Sequence, residues 1–353
     1  MMNYEQRARE QAQRLMESGH ATILAIESSC DETAAAIVRD GREVVASIIS
    51  SQIPLHAMYG GVVPEIASRK HVESIDPVID ECLKKAEMTL ADVDAVAVTY
   101  GPGLVGALLI GVSAAKALAY AAGKPLIPVN HIEGHVSANY IAHKDLQPPF
   151  VCLVASGGHS HIVRVEDYGV YTLLGQTMDD AAGEAFDKAA RVLHLPYPGG
   201  PLLDKMAQSG NPDAIKLPKP HMPGQYDFSF SGLKTAFINA CHNMEQKGQS
   251  MPAEDLAASF QHAVVSQLLD KTMQAAVDYK APRLALAGGV SANSGLRAAF
   301  EKACKKQGIQ LYMPQLKLCG DNAAMIGSAA YYRLLRDEVA PLSLNAKPAL
   351  RLV

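Results

Sequence analysis

Two stretches of this chain follow one plan, and that duplication narrows the folds open to it more than any other feature. Residues 23–38 (ILAIESSCDETAAAIV) read as an apolar run, a polar turn and a second apolar run, followed by Asp40-Gly41. Residues 150–165 (FVCLVASGGHSHIVRV) read the same way and end near Tyr168-Gly169. Short apolar runs around small polar residues predict strands, and each pair predicts a hairpin with hydroxyl or glycine residues at its tip. Further along each half, an apolar run meets glycine. Residues 94–103 (DAVAVTYGPG) feed a predicted helix over 104–120, and residues 283–290 (RLALAGGV) feed one over 293–306. Strands that are apolar throughout suit a sheet covered on both faces, so the predicted class is α/β with one unit used twice.

At 353 residues the chain exceeds one ordinary core, which predicts two domains. Residues 1–20 read as an N-terminal extension forming a surface helix outside the core. The first domain is assigned to 21–130 and the second to 131–321. A C-terminal helix over 322–345 is expected to return to the first domain. Residues 209–224, with Pro212, Pro218, Pro220 and Pro223, read as an irregular loop. The chain lacks Trp and its aromatic fraction is 6%, which favours close helix–sheet packing through small residues.

Other features exclude function classes. A net charge of -4 does not advertise nucleic-acid binding through bulk electrostatics, so any RNA contact needs a local patch. Candidates for phosphate contact are Arg69, Lys70 and His71, and Lys216, Lys219, His221 and Lys234. The six cysteines show no C-x-x-C spacing, which predicts reduced thiols and a cytoplasmic protein. The N-terminus has no apolar core of a signal peptide. Residues 95–115 are long and uncharged enough to span a bilayer, but Gly101-Pro102-Gly103 interrupts them, so no membrane association is expected.

His131-Ile-Glu-Gly-His135 places two imidazoles on one face of a helical turn, where both can reach one metal ion. On spacing alone the pair is either a metal site or a structural pair. A zinc protease needs Glu directly after the first His; Glu133 lies one position further on, roughly 200° around the helix from His131. Asp321 stands where the last helix begins and reads as either its N-cap or a third ligand. Two histidines and an aspartate with open positions suit divalent iron or zinc acting as a Lewis acid.

The paired hairpins resemble the actin/hexokinase/Hsp70-like (ASKHA) architecture of duplicated ribonuclease H-like domains with an interdomain cleft. Clustered backbone N–H groups at such tips and at helix N-termini hold phosphates. The resemblance then sharpens. Ile26-Glu-Ser-Ser-Cys-Asp-Glu-Thr33, Tyr59-Gly-Gly-Val-Val-Pro-Glu65, Gly101-Pro-Gly-Leu104, His131-Ile-Glu-Gly-His135 and Ser156-Gly-Gly-His159 occur in that order. Gly183-Glu-Ala-Phe-Asp-Lys188, Tyr197-Pro-Gly-Gly-Pro201, Phe228-Ser-Phe-Ser-Gly-Leu-Lys-Thr235 and Gly288-Gly-Val-Ser-Ala-Asn293 follow. The set resembles the bacterial TsaD type of the tRNA N6-adenosine threonylcarbamoyltransferases and covers about residues 23–336. The first twenty residues exceed the family's usual length, and Ser160 stands where Thr is frequent.

The resemblance implies transfer of a threonylcarbamoyl group from threonylcarbamoyl-AMP to N6 of the adenosine 3′ of the anticodon, in tRNAs reading codons that begin with A. It implies metal ligands at His131, His135 and Asp321, with Fe(2+) the usual ion and Zn(2+) the alternative. It implies ligand contacts at Val154, Ala155, Ser156, Gly157, Gly158, Asp187, Gly200, Asp204 and Asn293. Implied partners are tRNA, the inactive paralogue TsaB and the ATPase TsaE. Glu27, Asp31 and Glu32 are expected on the first hairpin, and Asp31 or Glu32 is the expected base toward N6. Three rivals stand beside this reading. A zinc glycoprotease conflicts with the place of Glu133. An actin-like ATPase or sugar kinase needs no His-x-x-x-His pair. A non-catalytic scaffold would be expected to lose the metal and phosphate residues.

Overall fold

The computed structural model describes residues 3–220 and 222–353. Met1, Met2 and His221, the last named above as a phosphate contact, lie outside the described residues. The chain divides into two compact units, one of Met1–Leu146 with Asp321–Val353 and one of Gln147–Gly320.

In the first unit, β1 (Thr22–Glu27), β2 (Glu32–Arg39) and β3 (Glu43–Ser51) form an antiparallel meander. The strands β4 (Ala95–Gly101) and β5 (Leu126–Asn130) continue the sheet in parallel from β1, in the order β3-β2-β1-β4-β5. The second unit repeats this with β6 (Phe150–Ala155), β7 (Ser160–Asp167), β8 (Val170–Gln176), β9 (Arg283–Ala287) and β10 (Gln310–Tyr312), in the order β10-β9-β6-β7-β8. Read from the opposite edge, the two orders are the same. The expected duplication is therefore present strand for strand, with β1 and β6 buried almost throughout.

Helices cover the sheets. The first unit carries α1 (Tyr4–Ser18), α2 (Ile53–Ala57), α3 (Pro64–Lys85), α4 (Val105–Ala122), α5 (His131–Ala142) and, from the chain's end, α11 (Ala323–Leu334). The second carries α6 (Ala182–Val192), α7 (Gly199–Ala207), α8 (Ser231–Gln246), α9 (Ala253–Asp278) and α10 (Ser294–Gln307). By length and composition α4 could cross a membrane, yet it packs on β4 and α3 as a sheet-covering helix. Residues 209–220 and 222–224 hold no helix or strand, as expected of an irregular loop.

Three expectations need correction, and one of two open alternatives falls away. The first unit extends to Leu146 rather than ending at 130, because α5 packs on α11 and so stays with the first sheet. The last helix stops at Leu334 instead of 345; the chain turns there, and Asp337 takes a left-handed conformation (φ 58°) that a helix cannot continue through. The extension is no detached surface helix, since Tyr4 and Ala8 of α1 join the first unit's core. The Tyr4 hydroxyl also donates to the Lys124 carbonyl at 2.8 Å. Finally, Asp321 is not a helix cap. Asn322 takes that role, its side-chain oxygen accepting the Met325 N–H at 2.9 Å, which leaves Asp321 one residue outside α11.

Candidate metal centre and ligand site

The first site lies wholly within the first unit. Asn130 caps α5 by accepting the Ile132 N–H at 2.8 Å, so the helix starts at His131. His131 and His135 then stand one turn apart with ring centroids separated by 4.7 Å. Packing of α5 on α11 brings Asp321 to them. Gly134 permits that approach: a Cβ there would lie 2.7 Å from Ile326 Cδ1 and 3.3 Å from Met325 Cγ. Glu133, one position past where a zinc protease carries its base, is 1% exposed and bound to Arg333 of α11 at 2.5 Å. Arg42 closes the other end of α5, donating to the carbonyls of Tyr140, His143, Lys144 and Leu146.

The three side chains fit a metal. Asp321 Oδ1 is 3.5 Å from His131 Nε2 and 3.3 Å from His135 Nε2, and the three ligand atoms lie within 4.8 Å of one another. Two ligands each about 2.1 Å from a shared ion stand roughly 3.0–3.4 Å apart, depending on the angle. The stronger observation concerns His135. It is fully buried, and neither ring nitrogen has a hydrogen-bond partner among the described residues, because the 3.3 Å approach to Asp321 lacks hydrogen-bond geometry. An orphaned buried nitrogen is costly, and a cation shared with Asp321 relieves it.

Electrostatics agree. Burial alone would pull the His131 pKa down, but the Asp321 and Glu27 carboxylates outweigh it and hold the imidazole well above its ordinary value. Burial pushes Asp321 up, but His131 and His135 hold it well below the carboxylate range. Beside them, Glu32 is pushed up to about 9 by burial, then by the charges of Asp31 and Asp321. It also accepts the Ser51 hydroxyl at 2.9 Å. Asp31 is buried, and the Gln52 N–H donates to its carbonyl at 3.0 Å.

Two features of this site were not anticipated. Glu27, grouped above with Asp31 and Glu32, is fully buried and bonded to His131 Nδ1 at 3.0 Å. Its signal in the sequence is an acidic residue closing an otherwise apolar strand. The Glu133–Arg333 pair carries no local signal at all. His71, proposed as a phosphate contact, is buried between the Thr33 hydroxyl (2.7 Å) and the Cys30 carbonyl (2.9 Å), and is withdrawn from that role. Lys234 is paired with Asp180.

The second unit gathers the other named residues. Val154 and Ala155 end β6, and Ser156-Gly157-Gly158 form the hairpin tip. The tip is held from below: the Ser156 N–H donates to the His159 carbonyl, and Gly183 and Glu184 of α6 donate to the carbonyls of Ser156 and Gly157. The Gly157 and Gly158 N–H groups have no partner among the described residues, and a Cβ at either glycine would meet nothing within 4 Å. Asp187 Oδ1 accepts the Gly199 and Gly200 N–H groups, at 2.9 and 3.0 Å, where α7 begins. Asp204 of α7 accepts both the N–H (3.0 Å) and the hydroxyl (2.7 Å) of Ser294. Asn293 caps α10 through the Leu296 N–H and donates to Gln261 Oε1 at 2.8 Å. The structure thus joins Asp187 to Gly200, and Asp204 to the residue after Asn293.

Solved structures similar to this chain include HypF of T. kodakarensis, with a TM-score of 0.62 at 14% identity, covering 90% of this chain and 48% of that one. Component A of the (R)-2-hydroxyglutaryl-CoA dehydratase of Acidaminococcus fermentans has a TM-score of 0.53 at 15% identity, covering 89% and 99%. At such identities the likeness concerns the fold alone, the duplicated ASKHA plan. Sequence relatives are far nearer. The tRNA N6-adenosine threonylcarbamoyltransferase of Clostridium perfringens (strain SM101 / Type A) is 59% identical over 331 residues, covering 94% of this chain and 98% of that protein. Its counterpart in Clostridium botulinum (strain 657 / Type Ba4) is 56% identical, covering 94% and 97%. The model of the family described as "TsaD: tRNA N6-adenosine threonylcarbamoyltransferase" matches residues 43–328, a span that holds His131, His135 and Asp321, and the chain belongs to that family.

Proposed function

We propose that this chain transfers the threonylcarbamoyl group of threonylcarbamoyl-AMP to N6 of the adenosine 3′ of the anticodon, in tRNAs reading codons that begin with A. The observation that carries the reading is its family membership along nearly the whole chain, with the buried His131, His135 and Asp321 group intact. The exocyclic amine attacks the carbamoyl carbon, the bond from that carbon to the phosphate oxygen breaks, and AMP leaves with the electron pair.

Fe(2+) is the proposed resident ion and Zn(2+) the alternative; bound by His131, His135 and Asp321, it supplies Lewis-acid polarisation of a substrate oxygen. The chain's own residues do the rest. The open Gly157 and Gly158 amides suit the phosphate of the leaving nucleotide. An ionised carboxylate offers about four acceptor positions, so Asp187 and Asp204 can hold the backbone and still accept from ribose or base donors. Burial of Val154 and Ala155 keeps the strand beneath the tip dry. The proton leaving N6 is assigned to Asp31, buried on the first hairpin, rather than to Glu32, whose Oε1 accepts the Ser51 hydroxyl. Asp31→Asn retaining the full transfer rate would remove that assignment.

Exposed apolar residues of the first unit, Val72 on α3 and Val105 and Leu109 on α4, support a protein partner such as the paralogue TsaB, with the ATPase TsaE alongside. Arg69, Lys70, Lys216 and Lys219 remain the proposed tRNA phosphate contacts. A cytoplasmic site of action fits the tRNA substrate and the six unpaired cysteines.

The test supplies unmodified tRNA and threonylcarbamoyl-AMP to the chain with its paralogous partner and ATPase, followed by nucleoside mass spectrometry. Threonylcarbamoyladenosine should appear and be lost in His131→Ala. No product from a metal-loaded protein would overturn the reading.

A further inference from the structure

We infer that Glu27 is a positioning residue of the metal centre, holding the Nδ1 proton of His131 so that the Nε2 lone pair faces the ion. The inference rests on the reading of His131, His135 and Asp321 as metal ligands.

Glu27 closes β1, whose interior is apolar, and none of it reaches solvent. A carboxylate in such a place needs donors, and it has them. Oε1 accepts the Ser29 backbone N–H at 2.5 Å. Oε2 accepts the Thr99 hydroxyl at 2.7 Å and lies 3.0 Å from His131 Nδ1. An ionised carboxylate only accepts, so the proton between Glu27 and His131 belongs to Nδ1. A metal ion displaces the remaining ring proton, and the ring then presents its lone pair on Nε2, the nitrogen 3.5 Å from Asp321 Oδ1. Ser29 Oγ also lies 3.1 Å from Nδ1, but a hydroxyl rotates to donate or accept and dictates no tautomer. Carboxylates behind ligating histidines fix ring orientation and raise ligand basicity.

The loop that carries Ser29 is itself anchored. The Ser28 hydroxyl donates to the Ala107 carbonyl, and the Leu104 N–H donates to the Ser29 carbonyl at 2.8 Å. Gly103 makes room for this contact: a Cβ there would lie 2.5 Å from the Ser29 carbonyl oxygen, and its φ of 154° suits glycine. The Ser29 amide therefore meets Glu27 from a fixed direction.

Glu27→Gln turns this logic into a measurement. The Ser29 N–H cannot reverse, so the amide oxygen stays with it and the NH2 group turns to His131. That group donates to Nδ1 and drives the ring proton onto Nε2, where the ion should bind. The Thr99 hydroxyl can rotate to accept. In the full-length protein, Co(2+) titrated against a chromophoric chelator should bind roughly 10–100-fold more weakly to Glu27→Gln, with a shifted ligand-field spectrum. Thr99→Val removes a donor to the same carboxylate without reversing the tautomer, and should bind nearly as the parent does. A parent that takes no Co(2+) would remove the metal reading and this inference with it. A parent that binds, beside a Glu27→Gln protein of equal affinity and unchanged spectrum, would overturn the inference alone. Should Glu27→Gln not fold, proton NMR of the cobalt-loaded parent decides. A slowly exchanging, hyperfine-shifted imidazole N–H that disappears in His131→Ala supports the inference, and its absence overturns it.

Discussion

Replacing Arg333 with methionine should destabilise the first unit by about 3–5 kcal/mol, the usual cost of abandoning one member of a buried ion pair. Glu133 on α5 is 1% exposed and meets Arg333 Nη1 at 2.5 Å. The arginine's second contact, Glu338 at 2.5 Å, is 31% exposed and worth at most about 1 kcal/mol. Nearly all of the loss therefore comes from a carboxylate left in the core with its positive partner gone. A double variant, Glu133→Gln with Arg333→Met, removes the stranded charge and should return to within about 2 kcal/mol of the parent. Urea unfolding of all four proteins of the cycle, followed by circular dichroism, measures the coupling directly. The single variant's deficit should shrink from pH 7 to pH 5, as the stranded carboxyl takes up a proton. Because the pair joins the helix bearing both histidines to the one that follows Asp321, Co(2+) affinity should fall in the single variant and recover in the double. A loss below about 1 kcal/mol, or a double variant as unstable as the single, would refute the reasoning.

Chelation supplies a second prediction. All three ligands belong to the first unit, so removing the metal should raise hydrogen exchange in α5 and α11 and leave the second unit's α9 unchanged. Equal change in both units would contradict the assignment. Glu32→Gln tests the raised carboxyl. In the parent, a folded pKa of about 9 against the ordinary 4.5 gives a contribution present below pH 4.5 and lost as pH rises toward 9. The variant lacks that loss, so it should gain about 1–3 kcal/mol on the parent across that span, and parallel melting curves would rule this out. Gly134→Ala should cost about 1–3 kcal/mol by pressing on Ile326, and adding Ile326→Val should restore part of it. Thermal unfolding that shows no rescue would place the strain elsewhere.

What could be read from the sequence follows the range of the interactions. Hairpins such as residues 23–38 declare themselves because apolar periodicity and turn residues are local. His131 and His135 are four residues apart and share one helical face. Asp321 read as either cap or ligand until the family resemblance chose between them, since nothing local separates the two; the difference lies in Asn322, which takes the capping bond. The supports of the site were not legible. Glu27 meets His131 across a separation of 104 residues, and Glu133 meets Arg333 across 200. Periodicity cannot register such pairs. The expected boundary at residue 130 failed for a related reason, because the partner of α5 is a helix near the chain's end.

That last helix also sets a schedule for biosynthesis. A ribosome that has made Gly320 has finished every residue of the second unit, yet the first still lacks Asp321 and α11. The nascent chain at that moment owns both histidines and no third ligand, and β1 and β2 await the helix that will cover them. Metal capture by the full triad therefore waits until Asp321 and α11 have been made. A chain ending at Gly320 would hold every residue of the second unit and lack the third ligand of the triad.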